Sequence, residues 1–71
     1  MYRFLVVIEK TGAGFSAYSP DLPGCIATGA TREEIQSNMH EAITLHVQGL
    51  LEDKLPVPVS SSFAEFVAVA R

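Results

Sequence analysis

The side chains able to do chemistry in this sequence are eight carboxylates, two histidines and one cysteine. Two-metal phosphoryl transfer needs several carboxylates converging from strand ends on one point. Of Glu9, Asp21, Glu33, Glu34, Glu41, Glu52, Asp53 and Glu65, only Glu9 falls near the end of a central strand-forming run, and Glu33 and Glu34 are accounted for by a helix start. Cys25, His40 and His46 do not have the spacing of a structural zinc site. As a nucleophile Cys25 would need a basic partner beside it, and its place after Gly24 at a strand start suits a small buried hydrophobe instead. His46 falls in the middle of an apolar helix face. It could be a ligand, a base or a pH switch, but the expectation is a half-buried ring with one satisfied nitrogen; His40 is expected on the surface. Gly12 and Gly14 are too short a fragment for a dinucleotide-binding turn, and no helix follows them. No catalysis, cofactor or metal is expected.

The elements that position these residues follow from local pattern. Residues 2–10 are rich in β-branched and aromatic types and predict a strand. Thr11-Gly12-Ala13-Gly14 predicts a hairpin turn, and Phe15 to about Ser19 an antiparallel second strand. Pro20-Asp21-Leu22-Pro23-Gly24 forms a loop, because two prolines forbid regular pairing. A third strand is expected from Cys25 to about Gly29. Thr31 and Glu34 have the spacing of a capping box, in which each side chain bonds the other residue's amide. The helix then runs from Arg32 to about Asp53, with Ile35, Met39, Ala42, Ile43, His46 and Leu50 on one face. Pro56 and Pro58 prevent its continuation, and Ser60-Ser61-Ser62 is a loop. Alanines would permit a helix at 63–70, but the interleaved Phe and Val residues favour a strand. The expected fold is α+β: a β-β-β-α-β single-layer sheet with one helix on one face, forming one domain over 1–71.

Composition bounds the role. A 71-residue chain makes one domain and is only marginally stable alone without disulfides, metal or a partner. Hydrophobic residues make up 48% and charged residues 18%, with a formal charge of −3 and five scattered basic residues. Nucleic-acid binding draws on clustered Lys and Arg, so a basic protein is the better-matched partner. No stretch has membrane-spanning length, and Glu9-Lys10 follow the short apolar N-terminal run where a signal peptide would have a cleavage site. The expected location is cytoplasmic.

Apolar surface exceeds what one helix can cover. In the first strand Phe4, Val6 and Ile8 point one way and Leu5 and Val7 the other. The last predicted strand behaves alike, with Phe66 and Ala68 opposed to Phe63, Val67 and Val69. An uncovered sheet face of four short strands spans roughly 400 Å², a scale that marks an interface. Val47 and Leu51 lie off the main helical stripe, toward the side carrying His40. A second molecule is therefore expected over the other sheet face, the helix flank or both. Asp21, Leu22, Val47, Leu51, Val67 and Val69 are the candidate partner contacts.

The run Phe15-Ser16-Ala17-Tyr18-Ser19-Pro20-Asp21-Leu22-Pro23-Gly24-Cys25, then Ala27-Thr28-Gly29-Ala30-Thr31-Arg32-Glu33-Glu34, resembles the hallmark of the HicB antitoxin family. Helical Glu41 to Leu50 followed by Pro56-Val57-Pro58 fits it as well, so the resemblance covers nearly the whole chain. It implies a partial ribonuclease-H-like fold with sheet order 3-2-1-4, strand 4 lying parallel to strand 1 through a right-handed crossover. It implies no enzyme activity, since the acidic cluster of a true ribonuclease H has no counterpart here. The implied function is to sequester a small basic HicA-type toxin, an mRNA-cleaving ribonuclease, and mask its catalytic histidine. The implied source is bacterial or archaeal. Many relatives carry a C-terminal DNA-binding element; this sequence ends at Arg71 without one, so direct nucleic-acid binding is not expected. A homo-oligomer, dimer or tetramer, is. The alternative is a solitary oligomeric small-molecule-binding or regulatory protein with no toxin partner. A ribonuclease-H-like enzyme using Glu9 and Asp21 is the third class.

Overall fold

The computed structural model describes all residues, Met1–Arg71, in the order β1 (Val7–Thr11), β2 (Gly14–Tyr18), β3 (Ile26–Gly29) and α1 (Arg32–Glu52). The strands form an antiparallel sheet in sequence order, β1-β2-β3. Register sorts the side chains into rows. Ile8, Ala17 and Ala27 form one row, and Lys10, Phe15 and Gly29 the next, on the face that meets the helix. Val7, Tyr18 and Ile26, then Glu9, Ser16 and Thr28, form the rows of the opposite face.

Small residues on the inner face let α1 approach closely. A Cβ built on Gly29 would lie 2.7 Å from the backbone nitrogen of Ile35, so the first helical turn rests directly on β3. Ile35 and Met39 then reach Ala17, Leu22 and Cys25, and these five make the core. Phe4, Val6, Phe15, Ala27, Ala42 and Ile43 pack around it. Asn38 ties the helix to the sheet by donating from Nδ2 to the Thr28 carbonyl at 2.8 Å.

Both helix ends are closed by local chemistry. Thr31 is the N-cap, its Oγ1 accepting from the Glu34 amide at 3.1 Å. The Glu34 carboxylate accepts from the amide of Ala30 at 3.1 Å, one residue before the expected Thr31; the effect is still to satisfy a donor at the helix entrance. At the other end Leu55 donates to the Leu50 carbonyl and Lys54 to that of Leu51. This is a Schellman closure, with Lys54 at φ 56 in the left-handed position usually held by glycine.

Two expectations need correction. The first strand is shorter than 2–10: pairing begins at Val7, and the segment before it is held to the sheet by Ser19, whose hydroxyl donates to the Leu5 carbonyl at 2.9 Å. The other is the fourth strand. Residues 63–70 form neither strand nor helix, and no sheet position beside β1 is filled by this chain. Phe63, Phe66, Val67 and Val69 are 79–107% exposed. The radius of gyration is 14.0 Å, against about 11 Å for a compact chain of this length. The helix-and-three-strand core is therefore α+β as expected, while the strand-forming residues at 63–70 have no surface of their own chain beneath them.

Candidate interaction surface

The helix carries its apolar residues further round than the sequence stripe suggested. Met39, Ile43, Val47 and Leu51 follow one another at four-residue spacing, which makes them a single ridge along α1. The ridge faces Tyr2, Phe4, Val6 and Ile8, alternate residues of the extended run that leads into β1, so they share one side. Between the two lies an open groove of about 590 Å³. Its polar rim is the neighbouring helical ridge, Gln36, His40, Thr44 and Gln48. Tyr2 and Phe4 stack over one end, with ring centroids 6.5 Å apart. Beside the groove runs the free edge of β1, which pairs with β2 alone.

The candidate contact residues divide four ways. Val47 and Leu51 line the groove, Val47 buried at its floor and Leu51 half exposed at its end. Val67 and Val69 stand free on the 63–70 arm. Leu22 needs correction, because its side chain is wholly buried in the core and has no surface to offer a partner. The turn forces this: Leu22 accepts from the Cys25 amide and donates to the Ser19 carbonyl, which directs its side chain inward beneath the two prolines.

Asp21 has a role the sequence did not signal. Its carboxylate accepts from the amides of Ser61 and Ser62 at 3.1 and 3.0 Å and from their hydroxyls at 3.2 and 2.9 Å. Two of the three serines read as a loop are thus a docking point, forty residues away in sequence, at the root of the arm. The Ser62 amide is the main reason the Asp21 pKa lies below its ordinary value of 3.8, with the Ser62 hydroxyl and Ser61 adding to it against some desolvation. A lowered carboxylate pKa means that this anchorage is complete above pH 3.8 and is lost as pH falls through the depressed folded value. Asp21→Asn is expected to loosen the arm at neutral pH as acid does in the parent. Amide hydrogen exchange at Ser61 and Ser62 reads it; unchanged protection in the variant contradicts the anchor.

Cys25 is buried, and burial pushes its thiol pKa up, which leaves a protonated, unreactive side chain. His46 is half buried and His40 exposed on the groove rim. No three of the His, Cys, Asp and Glu side chains gather in a way that could hold a metal ion. No helix is long and apolar enough to cross a membrane.

The second uncovered surface is the outer sheet face. There Val7 is half buried, Tyr18 is 42% and Ile26 70% exposed in one cross-strand row, with the polar row of Glu9, Ser16 and Thr28 beside it. The apolar part is one row wide, narrower than the full face expected.

The chain is similar to known proteins over most of its length. Residues 4–70 match the family described as the HicB-like antitoxin of bacterial toxin–antitoxin systems. A 14.9 kDa protein from the rep–hol intergenic region of Haemophilus phage HP1 is 37% identical over 87% of this chain and 47% of its own length. The chain thus spans about half of that relative. A UPF0150 protein of Synechocystis is 39% identical over 82% of this chain and 75% of its own, and one of Thermoplasma acidophilum 32% identical over 79% and 83%. Among solved structures, a chain of a HicA3 and HicB3 toxin–antitoxin complex superposes with a TM-score of 0.68 at 32% identity, covering 83% of this chain and 72% of that one.

Proposed function

This chain belongs to the HicB-like antitoxin family, and on that premise we propose that it binds and sequesters a small basic toxin of the HicA type. The family match over nearly the full length carries the reading, and the likeness to a chain solved in a toxin–antitoxin complex supports it. The role is stoichiometric binding without turnover, in the cytoplasm, by an oligomer of this chain. An overall charge of −3 suits a basic partner. We place the toxin on the outer row of Val7, Tyr18 and Ile26, because exposed aromatic and aliphatic side chains beside a carboxylate, Glu9, combine an apolar anchor with attraction for a basic rim.

A solitary small-molecule binder is less well supported. The groove has the volume of a ligand pocket, but it is open along its length and no buried polar side-chain atom is left without a partner to aim at a ligand.

Co-expression with any small basic reading frame found beside its own gene tests the proposal, and the lack of one would defeat it. The expected result is relief of growth arrest and a co-purifying complex in which the toxin no longer cleaves RNA. Ile26→Asp, at an exposed position, is expected to weaken that complex at least about tenfold, as loss of an interface anchor does. A neighbour that is harmless alone, or that never co-purifies, would defeat the antitoxin role. A complex indifferent to Ile26→Asp would move the toxin off this face.

A further inference from the structure

The groove and the arm are each incomplete, and they match. The groove presents an unpaired strand edge beside an apolar ridge, the arrangement that receives an added strand. The arm offers the complementary element: eight residues, 63–70, with Phe63, Phe66, Val67 and Val69 exposed and a single charge at Glu65. Eight extended residues span roughly 26 Å, enough to run the length of the five-residue β1 and part of the segment before it. Phe66 at 107% exposure touches nothing in its own chain.

We propose that this arm is exchanged between two copies of the chain, residues 63–70 of each adding as a strand along the free β1 edge of the other and closing its groove. The root of the arm favours the second copy over the arm's own groove. Ser61 and Ser62 are held to Asp21 by four hydrogen bonds, and beyond that fixed point every residue from 63 to 71 is exposed, so the arm does not lie on its own groove. Each protomer thus presents a filled exit and an empty acceptor. Reciprocal exchange satisfies both with one two-fold axis and leaves no open end. Two aromatic side chains per arm, each burying about 150–250 Å², with the facing groove and both arms counted, bring the buried area to about 1,200–2,000 Å², the range of standard-size stable interfaces. The exchange rests on the oligomeric part of the proposed function and not on toxin capture, so a failure of toxin binding leaves it standing.

Two differently tagged full-length chains test it, one carrying Leu51→Cys in the groove and the other Val67→Cys on the arm. They are unfolded together, refolded and treated with a short bismaleimide. The expected product is a covalent pair containing both tags, and a chain bearing both substitutions is expected to link mainly to a second copy. The parent, whose Cys25 is buried, is the control for background. Linkage within one chain would show the arm folded onto its own groove and overturn the exchange. No linkage at all would overturn it too. Light scattering supplies a second reading that needs no cysteine: the parent is expected at twice the chain mass at tens of micromolar. Phe66→Asp with Val67→Asp, both on exposed positions, is expected to give the single-chain mass with the helical circular dichroism kept. A parent of single-chain mass, or a variant that stays paired, overturns the proposal.

Discussion

Gly29→Val is expected to separate the helix from the sheet. A Cβ at this position would meet the nitrogen of Ile35 at 2.7 Å, its Cα at 2.9 Å and the Glu34 carbonyl carbon at 3.1 Å. All three are backbone atoms of the first helical turn, so no rotamer can relieve the overlap. The turn must lift off β3 and draw Ile35 and Met39 out of the core. Two opposing effects can be weighed with Gly29→Ala, which adds the Cβ alone. Removing glycine stiffens the unfolded chain and stabilises by about 0.4–1 kcal/mol; overpacking costs about 1–3 kcal/mol. The overlap wins, and valine's two further methyl groups take the cost to the upper end of that range or beyond. Gly49 is the counter-case, a helical glycine with nothing within 4 Å of its ideal Cβ. There alanine is expected to stabilise by about 0.5–1 kcal/mol. Urea unfolding of the three variants checks the order; a Gly29→Val chain as stable as the parent would mean that the helix has room to move.

Close approach at Gly29 also shows what sequence pattern reaches and what it misses. The hairpin, the third strand, the Thr31 cap and the length of α1 rest on neighbours within a few residues, and they are where the sequence places them. The Asp21 anchor joins residues forty apart, with serine on one side and a loop aspartate on the other; nothing local distinguishes those serines from a linker. Leu22 misled for the opposite reason. A leucine between two prolines in a turn looks exposed, and only the hydrogen bonds of Ser19 and Cys25 around it fold it inward. The alternation at 63–70 correctly marked strand-forming residues, but pairing needs a surface as well as a propensity, and this chain supplies none to them. Val47 escaped the helical stripe because the stripe was drawn from spacing alone, without the segment that covers the second half of α1. The three strands lie under its first half, and the segment Tyr2–Val6 faces the rest. The candidate surface was therefore legible as an excess of apolar area; its shape was not.

Ile35→Ala is expected to cost about half of the stability of the domain, and with it the binding role at temperatures where the variant unfolds. Ile35 is wholly buried and touches the sheet where Gly29 lets the helix closest. Truncating a buried isoleucine to alanine removes three carbons and leaves a cavity, at a cost of about 2–5 kcal/mol. A chain of 71 residues commands about 4–10 kcal/mol in all. At the middle of both ranges the substitution that a larger domain absorbs thus takes about half of what this one has. The loss should appear as a fall in melting temperature of at least about 10 °C, on the scale of 4–8 °C per kcal/mol for domains of this size. Neither uncovered surface contains Ile35, so a folded Ile35→Ala chain would still bind. Binding to the toxin is therefore expected to fail with temperature, intact where the variant is folded and lost above its lowered midpoint, with the partner restoring part of the difference by mass action. Circular dichroism melts with and without toxin read both. An unshifted melt would show that the five-residue core is not what holds this fold. A shifted melt with binding lost even in the folded state would make Ile35 part of the interface.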